Sequence, residues 1–520
     1  MAIRKSSSSG IPFGNTAGRP ANPGLGQLYS NGQVARLELY TATGWQNIIQ
    51  ETPGVSSATG HYYESDNSGT FIVSGTNFVD GAIAYAVGTN GTEYQATSTT
   101  YNSLVQLTVL FENLSKAYEP YDLKITNPSN LFGLLPDAFS LNDSPVWTTS
   151  SGTITTVGTG ASVSTSVAAT DDESNTLSYS SSNLPGWLTL NSSTGSITGT
   201  APLTIGTNSF TVTVSDAINS PVSRTFAVVV SPPTLSGGTL SSDSTYYYRT
   251  FTGSSNLIVS NGSLPASYLL VAGGGGGAGY GGGGGAGGLL SSSSTLVPST
   301  YSLVIGAGGS GATSHTVNGS NGAETTGFGL TASGGGFGGT ASTAGNSGGS
   351  GGGGGYASNG GAGISGQGYN GGNGNSNNDP YASGGGGGSG AVGSAISGAN
   401  VAGAGGTGTS SYSSWLTGIS SAMTGVSGWA TATTTGKIAG GGGGGVAGGS
   451  GYAANGVAGA GGAGGGGNGG LGGSGKSAGI ENTGGGGGGA GYNGSTNQAA
   501  GMAGGSGIII VRYTKASVGG

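Results

Sequence analysis

Few side chains in this sequence could do chemistry, and their spacing limits what that chemistry could be. Gly470-Leu-Gly-Gly-Ser-Gly-Lys-Ser477 fits the phosphate-cradling pattern GxxxxGK[ST]. That pattern works only between a buried strand and a helix whose N-terminus holds the phosphate. Here the flanks read GGAGGGGNGG and AGIENTGGGG, which predict neither element. The match is therefore a by-product of glycine saturation, and every GxGxxG in the region is discounted on the same ground. The histidines are His61 and His315, far apart and with no nucleophile or ligand pattern beside them, so both read as loop or surface residues rather than general bases. Asp171, Asp172, Glu173 and Asp216 could meet between two β-domains. Calcium asks for six to eight oxygens, and no complete set is visible. Asp171, Asp172 and Asp216 stand as weak calcium candidates beside the simpler reading of solvated turns. With no cysteine there is neither a disulfide nor a thiolate site. The expectation is a protein with no catalytic residue, no metal and no cofactor.

Composition points the same way. Of 520 residues 121 are glycine, only 6% are charged, and the formal net charge is −7. Arg and Lys occur mostly singly, which excludes counterion-release binding to nucleic acid. The opening MAIRKSSSSGIPFG has positive charge but no apolar h-region, so no secretory leader is expected. No run of about 18 apolar residues predicts a membrane span. A protein acting outside the cell would then leave by another route, such as lysis.

The elements that would position any site are strands. In residues 1–50, GQLYSNGQVARLELYTATGWQNII predicts short strands with a tight turn at Asn31-Gly32. In 53–142, strands are expected at 69–75, 83–87, 93–98, 104–111 and 121–128; spacing near ten residues is the β-sandwich pattern. A second sandwich is expected over 143–233, with Trp187 at its centre. From 245 to 515, strands at 246–251 and 256–262 open the last domain, and apolar strands at 267–273, 299–309 and 507–514 bracket a glycine-rich body with the charged or histidine residues His315, Glu324, Asp379, Lys437, Lys476 and Glu481.

Such a body has too few side chains to offset the entropy of ordering by burial alone. Yet it lacks the charge and proline that keep disordered chains apart, and the breaks in its glycine runs are mainly Ala, Ser and Asn. Glycine can adopt an extended three-residue turn like polyproline II while keeping its N–H. Segments could then lie side by side and bond laterally, provided nearly every backbone group is paired. The expected fold is all-β: a short N-terminal hairpin module, two immunoglobulin-like β-sandwiches, and a C-terminal glycine-rich domain with polyglycine II-type packing framed by strands.

Several segments resemble known families. Arg19, Pro20, Pro23, Gly26, Gln27, Leu28, Tyr29, Leu37, Glu38, Tyr40, Gly44 and Trp45 are similar to a segment of bacteriophage virion proteins. That resemblance makes 1–50 a virion-attachment module, with Arg19, Pro20, Leu28, Tyr29, Leu37, Tyr40 and Trp45 as contact candidates toward other virion proteins. FIVSGTNF and YDLKITNPSN resemble the IPT/TIG immunoglobulin-like fold over 53–142. Residues 184–188, 193–199 and 210–216 resemble the repeats called putative-Ig and cadherin-like in bacterial surface proteins. YLLVAGGGGGAGYGGGGGAGGLL and the terminal GGSGIIIVRYT resemble the glycine-rich domain of phage tail fibres and adhesins, in which loops between polyglycine segments contact the host receptor.

The resemblances imply a non-enzymatic structural fibre of a phage particle, assembled in the host cytoplasm and released by lysis. Its distal domain would bind a host surface receptor, protein or glycan. A capsid (head) fibre or decoration protein and a bacterial cell-surface adhesin are the alternatives. A depolymerase would need clustered carboxylates that 245–515 lacks. No heptads are present; a homo-oligomer, a trimer, is expected by analogy. Tyr369, Tyr381, Tyr412, Trp415 and Trp429, set in polar inserts among the glycine runs, are the receptor-contact candidates, since aromatic and small polar residues dominate adaptable binding loops.

Overall fold

A side chain on every second residue of a strand faces the core, and that alternation builds the framed parts of this molecule. The computed structural model describes residues 13–14, 17, 19–31, 36–47, 51–64, 66–374, 382–398, 400–430, 434–448, 455–472, 474–492 and 500–520. The described elements are nearly all strands; one short α-helix covers Ser413–Gly418. The chain divides into two compact units, residues 1–154 with 164–197 and 209–226, and residues 155–163 with 198–208 and 227–520.

In the first unit Phe13–Gly14, Leu28–Asn31, Arg36–Thr41 and Gly44–Asn47 form a four-stranded sheet. Asn31 pairs with Arg36 inside the ladder; the rest of the turn expected at Asn31-Gly32 lies outside the described residues. A β-sandwich follows. One sheet has the order Leu141–Asn142, Gly54–Tyr63, Ser68–Thr76, Gln106–Glu112, Ser98–Ser103, and the other Phe132–Phe139, Tyr121–Thr126, Ile83–Val87, Glu93–Gln95. Tyr62, Phe71, Phe78, Phe111 and Tyr121 are fully buried between them. The strand burial of Gln106–Glu112 alternates, with Leu107, Val109 and Phe111 inside. The strands between Val146 and Ser231, some of whose residues belong to the second unit, form a two-, a four- and a three-stranded sheet. Their aromatic centre is Trp147, 6% exposed, against Tyr179 and Phe226 at 5.9 and 5.2 Å. The expectation placed Trp187 there. Trp187 instead sits half-buried in the turn before Leu188–Leu190, and Leu188 supplies the inward side chain.

In the second unit a five-stranded sheet has the order Thr239–Ser242, Tyr246–Phe251, Ile508–Thr514, Leu264–Val271, Leu289–Leu296. The C-terminal strand is thus central, and Ile508 to Val511 are fully buried. From Val271 the chain leaves the sheet as glycine and returns as glycine to Leu289.

Between these strands the backbone follows a period of three. The N–H groups of Gly281, Gly284 and Gly287 donate to Ala490, Gly487 and Gly484; those of Gly282, Gly285 and Gly288 to Gly339, Gly336 and Ser333; those of Gly283 and Ala286 to Gly384 and Gly387. The carbonyls of the same run accept from three further segments: Gly442 and Gly445; Ala272, Gly275 and Ala278; Ser350 and Gly353. One extended segment is therefore ringed by six others, parallel and antiparallel. This is the lateral bonding of polyglycine II, whose three residues per turn aim every third N–H the same way. A Cβ on Gly284 would stand 2.0 Å from the Gly275 carbonyl oxygen, so a side chain there would wedge the segments apart. Backbone pairing, with water excluded, replaces the missing side-chain core.

Candidate functional site

Because the glycine runs present almost no side chains, the side chains that could contact a ligand in this domain are found mainly where the runs turn. The run 273–279 ends at Tyr280, in the left-handed region at φ 73°. Tyr356 follows the run 351–355, and Tyr492 follows 484–491. The Tyr280 ring lies 5.8 Å from Tyr356 and 5.4 Å from Tyr492, and His315 stands 5.6 Å from Tyr492. All four are half-buried. The sequence reading missed this cluster; the signal was there, since each tyrosine is the first bulky residue after a long glycine block.

A second feature gathers two of the expected contact residues. Tyr369 and Tyr412 line one concavity of about 500 Å³ together with Ser365, Gln367, Asn370 and Thr409. None of the described residues lining it is charged. Tyr369 is 48% exposed. Tyr412 is held by its hydroxyl against Ser291 Oγ at 2.6 Å. Gln367 Oε1 accepts from the Ser333 N–H at 2.8 Å, and Asn370 Oδ1 from the Gly363 N–H at 2.8 Å. These bonds fix both amides against the glycine body, and a surface so fixed loses little entropy when it binds.

Trp415 and Trp429 are not at the surface. They are 6% and 3% exposed and share a core with Tyr248, Leu269, Ile508 and Ile510. The Arg512 guanidinium lies 4.3 Å over the Trp415 ring. Their place in the core follows from the insert 408–437, whose helix Ser413–Gly418 turns Trp415 and Leu416 inward. Beside them the Tyr248 hydroxyl is raised well above its ordinary pKa by burial and by its bond to Asp243 Oδ2 at 2.7 Å. Tyr381 lies outside the described residues.

In the N-terminal module, Tyr29 (1% exposed) faces Glu38 across the ladder, and Trp45 packs on Tyr29 and Tyr40 at 5.7 and 5.4 Å. Arg19 donates to both Glu38 oxygens at 2.8 and 2.5 Å. The bond to Glu38 holds the Arg19 guanidinium above its ordinary pKa. Tyr29 and Glu38 thus form the interior of the module. Pro20, Leu28, Leu37, Tyr40 and Trp45 are half-buried around it.

Among the described residues no group of three or more His, Cys, Asp or Glu is placed to hold a metal. Of the calcium candidates, Asp172 is paired with Lys116, whose ammonium also pairs with Asp143 and Glu173. Burial lowers the Lys116 pKa, but the carboxylates outweigh it and hold the ammonium above its ordinary value. Asp171 Oδ1 accepts from Asn175, through its N–H at 2.9 Å and Nδ2 at 3.1 Å. Asp216 accepts from the N–H groups of Ile218 and Asn219 at 3.0 and 2.9 Å and from Asn219 Nδ2 at 3.0 Å. Burial works against the Asp216 charge, yet those bonds leave its pKa below the usual carboxylate range. The phosphate-loop look-alike has no helix after it: residues 475–480 are irregular, and burial lowers the Lys476 pKa. His61 lies beside Tyr63 at 6.3 Å on an exposed stretch of strand.

Comparisons with known proteins agree with this anatomy. Residues 145–231 match the family described as Putative Ig domain, and residues 249–514 the family described as Glycine-rich domain. No curated protein matches the chain. Among solved structures, DIP-gamma IG1+IG2 is similar at 13% identity, over 35% of this chain and 99% of that one, with a TM-score of 0.23. The titin I-band fragment I67–I69 is similar at 10% identity, over 42% and 80%, TM-score 0.24, and human protocadherin-24 EC1-2 at 21%, over 19% and 52%, TM-score 0.16. At such TM-scores these likenesses carry no argument; the all-β architecture rests on the strands and their registers.

Proposed function

The chain belongs to the glycine-rich domain family over residues 249–514, and from that premise we propose that it is a non-enzymatic fibre of a bacteriophage particle that displays this domain to a host cell surface. The likeness of residues 19–45 to virion proteins supports a role for 1–50 in holding the chain to the particle. The immunoglobulin-type strands that follow suit a spacer. The observation that carries the binding role is the concavity holding Tyr369 and Tyr412: the two tyrosines line one hollow together with hydroxyl and amide side chains.

Its chemistry selects the ligand class. Tyrosine rings accept the apolar face of a sugar ring, and hydroxyl and amide groups pair with its hydroxyls. With no charge among the described lining residues, an anionic sugar or a charged peptide loop would be desolvated without a partner. The ligand is an uncharged saccharide.

The full chain, applied to an array of neutral and of phosphorylated or uronic saccharides, is expected to retain neutral ones and to lose them in Tyr369→Ala. The same chain is expected to compete with particles carrying it for adsorption to host cells. Retention of anionic saccharides alone, or undiminished binding by the alanine variant, would overturn the ligand class while leaving attachment standing. Failure to compete for adsorption would overturn attachment itself.

A further inference from the structure

The resemblance to cadherin-like repeats implies divalent cations where one sandwich follows another, and the donors at that place in this chain test the implication. Between the strand Leu141–Asn142, which pairs with Gly54–Tyr63 in the first sandwich, and Val146–Trp147, which opens the next group of strands, lies Asp143. Around it stand Asp171, Asp172, Glu173 and Asp216. Calcium needs six to eight oxygens around one point. Here several of the oxygens already face a nitrogen.

Two groups take them. Lys116, carried by the first sandwich, places its Nζ against Asp143, 3.1 Å from Asp172 and 3.8 Å from Glu173. Asn219, itself 6% exposed, turns its Nδ2 into a nest of acceptors: the Asn142 carbonyl at 3.0 Å, Asn142 Oδ1 at 2.5 Å, the Asp143 carbonyl at 2.9 Å and Asp216 Oδ2 at 3.0 Å. The carboxylate of Glu173 also accepts from the Asp143 N–H at 3.0 Å. Buried oxygens left without a bond remain on Asp143 (Oδ1), Asp171 (Oδ2) and Asn219 (Oδ1). Among the described residues no three acidic side chains converge into a metal-holding set. The ammonium and the amide therefore stand where these carboxylates and carbonyls meet, in the places a divalent ion would take.

We propose that this joint is closed by a cation built into the chain, the Lys116 ammonium, with the Asn219 amide as its second clamp, so that its order is independent of calcium. The logic is electrostatic. The acidic groups here are Asp143, Asp171, Asp172, Glu173 and Asp216, against the single positive charge of Lys116. Removing the ammonium adds to the repulsion among them, which an outside cation would relieve. Lysine is a compact point charge on a flexible stem, able to serve several carboxylates as a small ion would.

The test is hydrogen exchange on the full chain, read over peptides covering 141–147 and 169–176, with excess calcium chloride and with EDTA. The wild type is expected to exchange identically in both. Lys116→Met is expected to exchange roughly five- to tenfold faster at these peptides in EDTA, the cost of partly exposed ion pairs acting together, and to be slowed again by calcium. Lys116→Arg, which keeps the charge, is expected to stay near the wild type. Should Lys116→Met fail to fold, Asn219→Asp, which exchanges the amide donor for another carboxylate, is expected to give the same calcium-dependent pattern. Loss of wild-type protection in EDTA would overturn the proposal in favour of a metal joint. Unchanged exchange in folded Lys116→Met would show that the ammonium holds nothing there.

Discussion

Gly284→Ala tests the backbone lattice directly. Gly284 donates to the Gly487 carbonyl and accepts from the Gly442 N–H, both at 2.8 Å. Its Cβ would stand 2.0 Å from the Gly275 oxygen and 2.5 Å from the Gly275 carbonyl carbon, where ordinary contact begins at 3.4 Å. Segment 272–278 must therefore retreat by more than 1 Å. That stretches the bonds from Gly275 to Gly285 and from Gly487 to Gly275, now 2.8 and 2.9 Å, past the hydrogen-bonding range. Two or three buried backbone groups left unpaired cost about 1–3 kcal/mol each, and overpacking adds about 1–3 kcal/mol. The lower entropy of alanine in the unfolded chain returns about 0.4–1 kcal/mol. The net expectation is a loss of at least about 2 kcal/mol, which for a domain of this size lowers Tm by at least about 4–8 °C. Gly398→Ala is the control: it lies in the same domain, nothing stands within 4 Å of its Cβ, and it should change stability by less than about 0.5 kcal/mol. Calorimetry of both variants decides the matter. If Gly284→Ala melts with the wild type, the lateral bonds do not hold the domain and its order must come from another source.

Trp415→Ala should destabilise the glycine-rich domain by about 3–5 kcal/mol in thermal melts, because it empties a core site shared with Tyr248 and Ile510; Tyr369→Ala, at a half-exposed ring, should melt like the wild type while losing saccharide binding. Acid should destabilise the region of Asp216. Its folded pKa is depressed, so its contribution is complete above the unfolded value of about 3.9 and is lost as pH falls through the lower folded value. Asp243, depressed chiefly by the Tyr248 hydroxyl, acts in the same direction, whereas Glu173, raised by burial, has the opposite sign. Asp216→Asn should therefore flatten the acid limb of a stability curve measured by urea unfolding from pH 5 downward, and an unaltered limb would remove Asp216 from that role.

The strands were legible because alternation is a local signal: Ile83–Val87 and Tyr121–Thr126 can be read from a handful of residues. The central tryptophan was not. Trp147 ends one short strand and Trp187 precedes another, and only the register Trp147↔Ala169, a long-range fact, decides which one points inward. The same holds for Trp415 and Trp429, which look like loop aromatics until Ile508–Thr514 returns across more than 70 residues to cover them.

The joint residues Lys116 and Asn219 were invisible for a related reason. A lone lysine and a lone asparagine carry no motif, and their partners lie 27 and 77 residues away at Asp143 and Asn142. The glycine domain is the converse case. Its principle of construction could be inferred from composition, since a chain without side chains has only its amides left to bond. Its neighbour relations could not, because the glycine runs are nearly interchangeable as strings. What sorts them is the sparse residues between: Ala272, Ala278 and Ala286 stand fully buried within the lattice, Leu289 begins the strand on which the run 281–288 ends, and Tyr280 sits where the chain must reverse. The side chains in this domain therefore act first as register marks, and only those the lattice leaves at its turns and margins, Tyr369 among them, are available for recognition.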